Sequence, residues 1–159
     1  MSVPQNSLLS ERLAILATTL PSQGTAGGTL TSGYVNIVLD TNSSKGFAFS
    51  RLLALATVQT DGTTVTTVSV QKASDSSGTG AATLISQTVS STATPVVEFD
   101  INPFTQALND TSKTYLAVKI VSTTGNQASS GMIIGGDGRY DPASYWNAAG
   151  VVLSTSTVV

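Results

Sequence analysis

Between residues 52 and 58 apolar side chains fill both phases of a period-two pattern. Leu52, Ala54, Ala56 and Val58 alternate with Leu53, Leu55 and Thr57. An extended strand sends successive side chains to opposite faces, so this run predicts a central strand covered on both sides. After residue 65 the pattern becomes one-sided, with Val68 and Val70 set against Thr67, Ser69 and Gln71. Val65 falls on the wrong parity, which a bulge near the turn would accommodate. Thr60-Asp61-Gly62-Thr63 separates the two runs. Asp-Gly between β-prone segments is a strong short-range hairpin signal, so the spacing predicts two long paired strands.

The same alternation recurs along the chain. Val35, Ile37 and Leu39 mark a strand over residues 33–40, and residues 83–89 form another. Val97, Phe99 and Ile101 alternate inward over residues 95–101. Residues 102–113 read as a longer connection with one helical turn, containing Phe104 and Leu108. Leu116, Val118 and Ile120 share one face of a strand over residues 114–122, and after a turn residues 128–134 return. Residues 151–159 read as a terminal strand or strap. Seven to nine short strands separated by turn signals predict an all-β fold: an antiparallel β-sandwich, jelly-roll-like, with no internal repeat.

The N-terminal stretch follows a different period. Leu9, Leu13, Leu16 and Leu20 recur at helical spacing, widened by Leu8 and Ile15, with Asn6 or Ser7 as a cap and Pro21 as a stop. This predicts a helix ending near Thr19. It either packs on its own domain or forms an arm that lays its stripe on a neighbouring subunit. The sequence GTAGGTLTS over residues 24–32 reads as a flexible spacer. Residues 1–32 are therefore expected as an N-terminal arm with a short helix or extended segment, and residues 33–159 as the β-sandwich domain. Residues 1–5 lack the basic region of a secretory signal, and Arg12 interrupts the apolar stretch that follows.

Composition narrows the function classes. Charged residues are 10% of the 159, against about 25% in typical soluble domains. Ser and Thr supply roughly three residues in ten. No apolar run approaches the ~18 residues that a membrane-spanning helix needs. The surface is then neutral and polar, of a kind that resists aggregation poorly unless neighbours cover it. Seven scattered Lys and Arg within a net charge of −2 assemble no basic face for nucleic acid. Cysteine and histidine are both absent. That removes disulfide and thiolate chemistry, Ser-His-Asp triads and most zinc sites.

The remaining candidates for chemistry are thin. Asp137 and Asp141 in GGDGRYDP lack the ligand spacing of a calcium loop and read as a glycine-rich turn. Asp75 in SDSSGTG reads as the cap of its own loop. No phosphate loop and no GxSxG elbow is present. Catalytic, cofactor-binding and metal-binding residues are all expected to be none. Arg139, Tyr140, Tyr145 and Trp146 form the one aromatic-plus-Arg cluster, a composition that interface hot spots favour.

Three segments carry a family resemblance. VSVQKASDSSGTGA (residues 68–81) resembles a VxVQxAxDxxGTGA stretch of small structural proteins of tailed bacteriophages. TYLAVKI (residues 114–120) and GGDGRYDPA (residues 135–143) are similar to the closing pattern of the same group. Glu11-Arg12-Leu13, followed by Gly33-Tyr34-Val35, fits as well. The resemblance implies a head decoration, or cement, protein: a non-enzymatic β-sandwich that clamps major capsid protein subunits on the capsid exterior. It implies a virion location after assembly in the host cytoplasm, a homo-oligomer (dimer or trimer), and no nucleic-acid or membrane partner. Leu9, Leu13 and Leu16 are the expected arm contacts, and Arg139, Tyr140 and Trp146 the expected interface on the sandwich. The alternatives are a receptor- or carbohydrate-binding module of a phage fibre or tail, and a head–tail connector component.

Overall fold

A computed structural model describes residues 13–19, 22–23, 28–37, 49–59, 65–90, 95–105, 112–123 and 128–138. Ten strands run through them: β1 Leu13–Thr18, β2 Ser22–Gln23, β3 Thr29–Thr31, β4 Val35–Asn36, β5 Phe49–Val58, β6 Thr66–Ala73, β7 Ala82–Val89, β8 Val96–Ile101, β9 Tyr115–Ser122 and β10 Ala128–Gly138. One sheet has the order β1-β10-β5-β8, with β2 also on β10. The other has the order β3-β9-β6-β7, with β4 also on β9. Every pairing is antiparallel.

The pairings nest. β1 pairs with β10, β3 and β4 with β9, β5 with β8, and β6 with β7. This is a chain folded in half and rolled into two layers, the jelly roll expected from the strand pattern. The core lies between the layers. Leu52, Ala54, Ala56 and Val58 of β5, with Ile133 of β10 and Val97, Phe99 and Ile101 of β8, face Val68 and Val70 of β6 and Leu116, Val118 and Ile120 of β9. Those are the phases that the alternation assigned inward.

The Asp61-Gly62 hairpin is corrected. β5 and β6 exist where expected, but they belong to different sheets. Each has a buried apolar face, and stacking the faces across the core removes both from water, whereas side-by-side pairing leaves both needing cover. Residues 60–64 therefore connect the layers. Val65 owes its parity to lying just before β6, where it is held by Thr123: Val65 N–H donates to Thr123 Oγ1 (3.3 Å) and Thr123 N–H to the Val65 carbonyl (3.1 Å). β9 and β10 likewise join opposite layers.

The helix expected up to Thr19 is also corrected. Residues 13–18 form β1, paired with β10, and the register shifts between Ile15 and Ala17. Ala14 and Leu16 point inward before the shift and Ala17 after it. The expected stripe is not a face of β1: Leu13 stands on the exposed side and Leu16 in the core, three residues apart. Residues 1–12 lie outside the described residues. β1, β2 and β3, from the stretch expected as arm and spacer, are strands of the two sheets.

In the β8–β9 connection residues 103–105 take helical geometry. Asn102 Oδ1 accepts the Phe104 N–H at 3.0 Å, and Pro103 occupies the first helical position, where its missing N–H costs nothing.

Two core positions yield tests. A Cβ added at Gly135 would stand 2.6 Å from the Phe49 ring. Gly135→Ala is expected to lower unfolding stability by about 1–3 kcal/mol, the usual cost of overpacking, read by denaturant titration. Thr66 is fully buried, and its Oγ1 has no hydrogen-bond partner among the described residues. Thr66→Val removes an unpaired hydroxyl at constant shape. It is expected to raise stability by about 1 kcal/mol in the same titration.

Candidate interaction surface

Three of the stretches that carry the family resemblance, residues 33–35, 68–81 and 114–120, meet in space. Tyr34 lies on the outer face of the β6-containing sheet, and its hydroxyl donates to Gln71 Oε1 at 2.9 Å. Burial pushes that hydroxyl's pKa up. The loop after β6 closes beneath the ring: Asp75 Oδ1 accepts the N–H groups of Ser77 (2.9 Å) and Thr79 (3.0 Å). Gly78 (φ 83°) and Gly80 (φ 62°) hold left-handed backbone there. A Cβ at Gly78 would stand 2.6 Å from the Tyr34 ring. Gln71, Asp75, Gly78 and Gly80 thus build a rigid corner. The motif is a folding device.

The outer face of the β5-containing sheet is different in kind. The registers lay its side chains out in rows. Ile15, Ile134, Leu53 and Asp100 stand side by side, and so do Thr18, Met132, Leu55 and Glu98. Leu13, Gly136 and Arg51 flank them at one end, and Ser130, Thr57 and Val96 at the other. Ile15, Leu53, Leu55, Met132 and Ile134 are half-buried, while Leu13 (37% exposed) and Val96 (58%) are open. The centre is aliphatic and the margin polar. Arg51 Nη2 meets Asp100 Oδ2 at 3.1 Å, and the Thr57 and Ser130 hydroxyls share a hydrogen bond of 2.8 Å. The Arg51–Asp100 pair is about two-thirds exposed on both sides, so its worth lies in orientation more than stability. An apolar centre containing Met inside a polar rim is the anatomy of a protein–protein interface. Its chemistry is contact and exclusion of water.

Nothing in the described part favours catalysis. No three Asp or Glu side chains cluster there as a metal site would need, and no described helix is long and apolar enough to cross a membrane. An open groove of about 430 Å³ runs between the edges of β7 and β8, lined by Gln87, Thr88, Val89, Val96, Glu98 and Phe99 among others. Its one ionisable side chain is Glu98.

Of the residues expected at an interface, Leu13 stands at a corner of the aliphatic face. Leu16 is buried in the chain's own core. Leu9, Arg139, Tyr140 and Trp146 lie outside the described residues. Sequence reading missed Ile15, Met132 and Ile134 as surface residues. The signal was present in Leu53 and Leu55, whose phase was taken as covered.

No family model and no curated protein matches the chain. Solved structures do. The PBSX exported protein XepA matches with a TM-score of 0.53 at 15% identity, over 99% of this chain and 45% of that one. The chain thus spans under half the length of XepA. A Cowpea Mosaic Virus empty virus-like particle protein follows with a TM-score of 0.45 at 8% identity, covering 85% of each chain. An infectious bursal disease virus protein gives 0.41 at 16%, over 91% of this chain and 39% of the other. The likeness to XepA is a likeness of fold.

The Asp75 corner gives a pH test. Hydrogen bonds from the Thr79 hydroxyl first, then the Thr79 N–H and, after a smaller opposing effect of desolvation, the Ser77 N–H, hold the carboxyl below its ordinary range. A lowered folded-state pKa contributes order above the unfolded value of about 3.9, lost as pH falls through the folded value. Protection of the Ser77 and Thr79 amides, taken relative to their intrinsic exchange rates, is expected to hold at neutral pH and to be lost as pH falls below about 3.9 toward the carboxyl's lowered folded value. In Asp75→Ala that protection should be absent at both.

Proposed function

We propose that this chain is a non-enzymatic structural protein of a bacteriophage particle, a head decoration or cement protein on the capsid exterior, whose aliphatic sheet face seats on the major capsid protein. One observation carries the docking: Leu53, Leu55, Met132, Ile134 and Ile15 form a continuous aliphatic surface on one sheet face. Removing that surface from water is worth on the order of 25 cal/mol per Å² of apolar area. A monomer gains nothing from leaving it open. The phage assignment is supported by the motif resemblance over residues 68–81, 114–120 and 135–143 and by the jelly-roll fold, which viral capsid proteins also use. The lack of a basic patch suits a position away from packaged nucleic acid.

The mechanism is linkage. A protein that binds the assembled shell better than separate subunits shifts the equilibrium toward the shell, and many copies multiply a modest contact. Leu13 joins the seat at its corner. The wider set of Leu9, Arg139, Tyr140 and Trp146 is proposed as additional contact surface.

The test uses particles stripped of the protein and reconstituted with purified chain. Leu55→Asp puts a charge in the centre of the seat while leaving the core phase of β5 intact. Retention on particles is expected to drop at least tenfold with unchanged circular dichroism and melting. Undiminished retention would remove the seat from the proposal, and a copy number of only a few per particle would favour a connector role.

A further inference from the structure

A sandwich of this kind has four edge strands, and three of them carry devices that discourage pairing. β8 bears Glu98 and Asp100 and follows Pro95. β1 is bent by the bulge between Ile15 and Ala17. The edge formed by β3 and β4 is interrupted at residues 32–34, where Ser32 Oγ takes the Val118 N–H at 2.9 Å in place of a regular ladder. Charges, proline, bulges and shortness are the usual protections of a sheet edge.

β7 has almost none of them. Its eight residues, ATLISQTV, include no charge and no proline, and three are β-branched Thr or Val with an Ile among them. Its one irregularity, opposite Val70 and Gln71, lies toward its start and leaves residues 85–89 regular. Among the described residues nothing pairs with its outer edge. Ile85 shares a face with the fully buried Val70, yet it is 43% exposed. The open groove between β7 and β8 is lined by residues 87–90 on one side and residues 95–99 on the other.

We infer that β7 is a self-association edge, where a second copy of this chain pairs antiparallel with β7 about a two-fold axis and joins two sheets into one. Charge decides the occupant. A two-fold axis brings each edge against itself, so any charge on the strand meets its own copy. β8 would oppose acid to acid, whereas β7 opposes Ser, Thr, Gln and Ile to one another. The inference is independent of the capsid reading: it concerns a different strand and a different partner.

The experiment measures mass by sedimentation velocity on the purified full chain, over a hundredfold concentration range. The wild type is expected to show a monomer–dimer equilibrium. The double variant Ser86→Lys/Thr88→Lys places like charges across the axis on an exposed strand. It should weaken the dimer at least tenfold without altering the melting temperature. Thr29→Lys/Thr31→Lys carries the same charge change to the opposite edge of the same sheet and should leave the dimer unchanged. Amide exchange on the unmodified protein supplies a readout free of substitution: protection of residues 85–89 should rise with concentration. A monomer at every concentration, a dimer indifferent to lysines on β7, or a dimer weakened equally by lysines on β3 would each overturn the inference.

Discussion

The fold turns on β5, a strand apolar on both faces at the middle of a sheet. Its inner phase, Leu52, Ala54, Ala56 and Val58, closes the core against β6 and β9. Its outer phase, Leu53 and Leu55, pairs across register with Ile134 and Met132. A strand of this composition belongs between two layers, and the described part of the chain supplies one of them. Under the proposed function the partner supplies the second. The neutral surface, the polar rim of Arg51, Asp100, Thr57 and Ser130, and the absence of a catalytic cluster among the described residues accord with a molecule that works by being covered.

Glycine in β10 shows how tightly the inner layer is set. Gly131 and Gly135 lie where a Cβ would crowd Val118 at 2.9 Å and the Phe49 ring at 2.6 Å. Their missing side chains let the two layers and the Phe49 ring close up. β10 thus serves the core by omission, and its other phase, Met132 and Ile134, builds half of the aliphatic face.

Strands were legible in the sequence because period two is a local property. Val97, Phe99 and Ile101, or Leu116, Val118 and Ile120, announce their faces without reference to the rest of the chain. Partnership was not legible. Asp61-Gly62 signals a reversal, but whether the reversed strand lies beside its predecessor or across the core depends on where both apolar faces find cover. β1 failed for a related reason: Leu13 and Leu16 fall three apart in the sequence, as on a helix, but stand on opposite faces of the strand. The motif around Asp75 was readable as a loop cap, and its link to Tyr34, 41 positions earlier, needed the register of β3, β4, β9 and β6 within one sheet. The aliphatic face was half readable. Leu53 and Leu55 were visible as a second apolar phase, but Ile15, Met132 and Ile134 join them only through pairing.

Under the proposed function the outer face of β5 and β10 is a seat filled by a partner. Met132 stands near its centre and reports on it directly, since a thioether oxidises only where oxidant reaches it. Oxidative footprinting of the free chain and of the chain bound to phage particles, read by mass spectrometry, compares that access. The account predicts Met132 oxidised readily in the free protein and protected several-fold in the bound one. Equal oxidation in the two states, with binding independently verified, would contradict it.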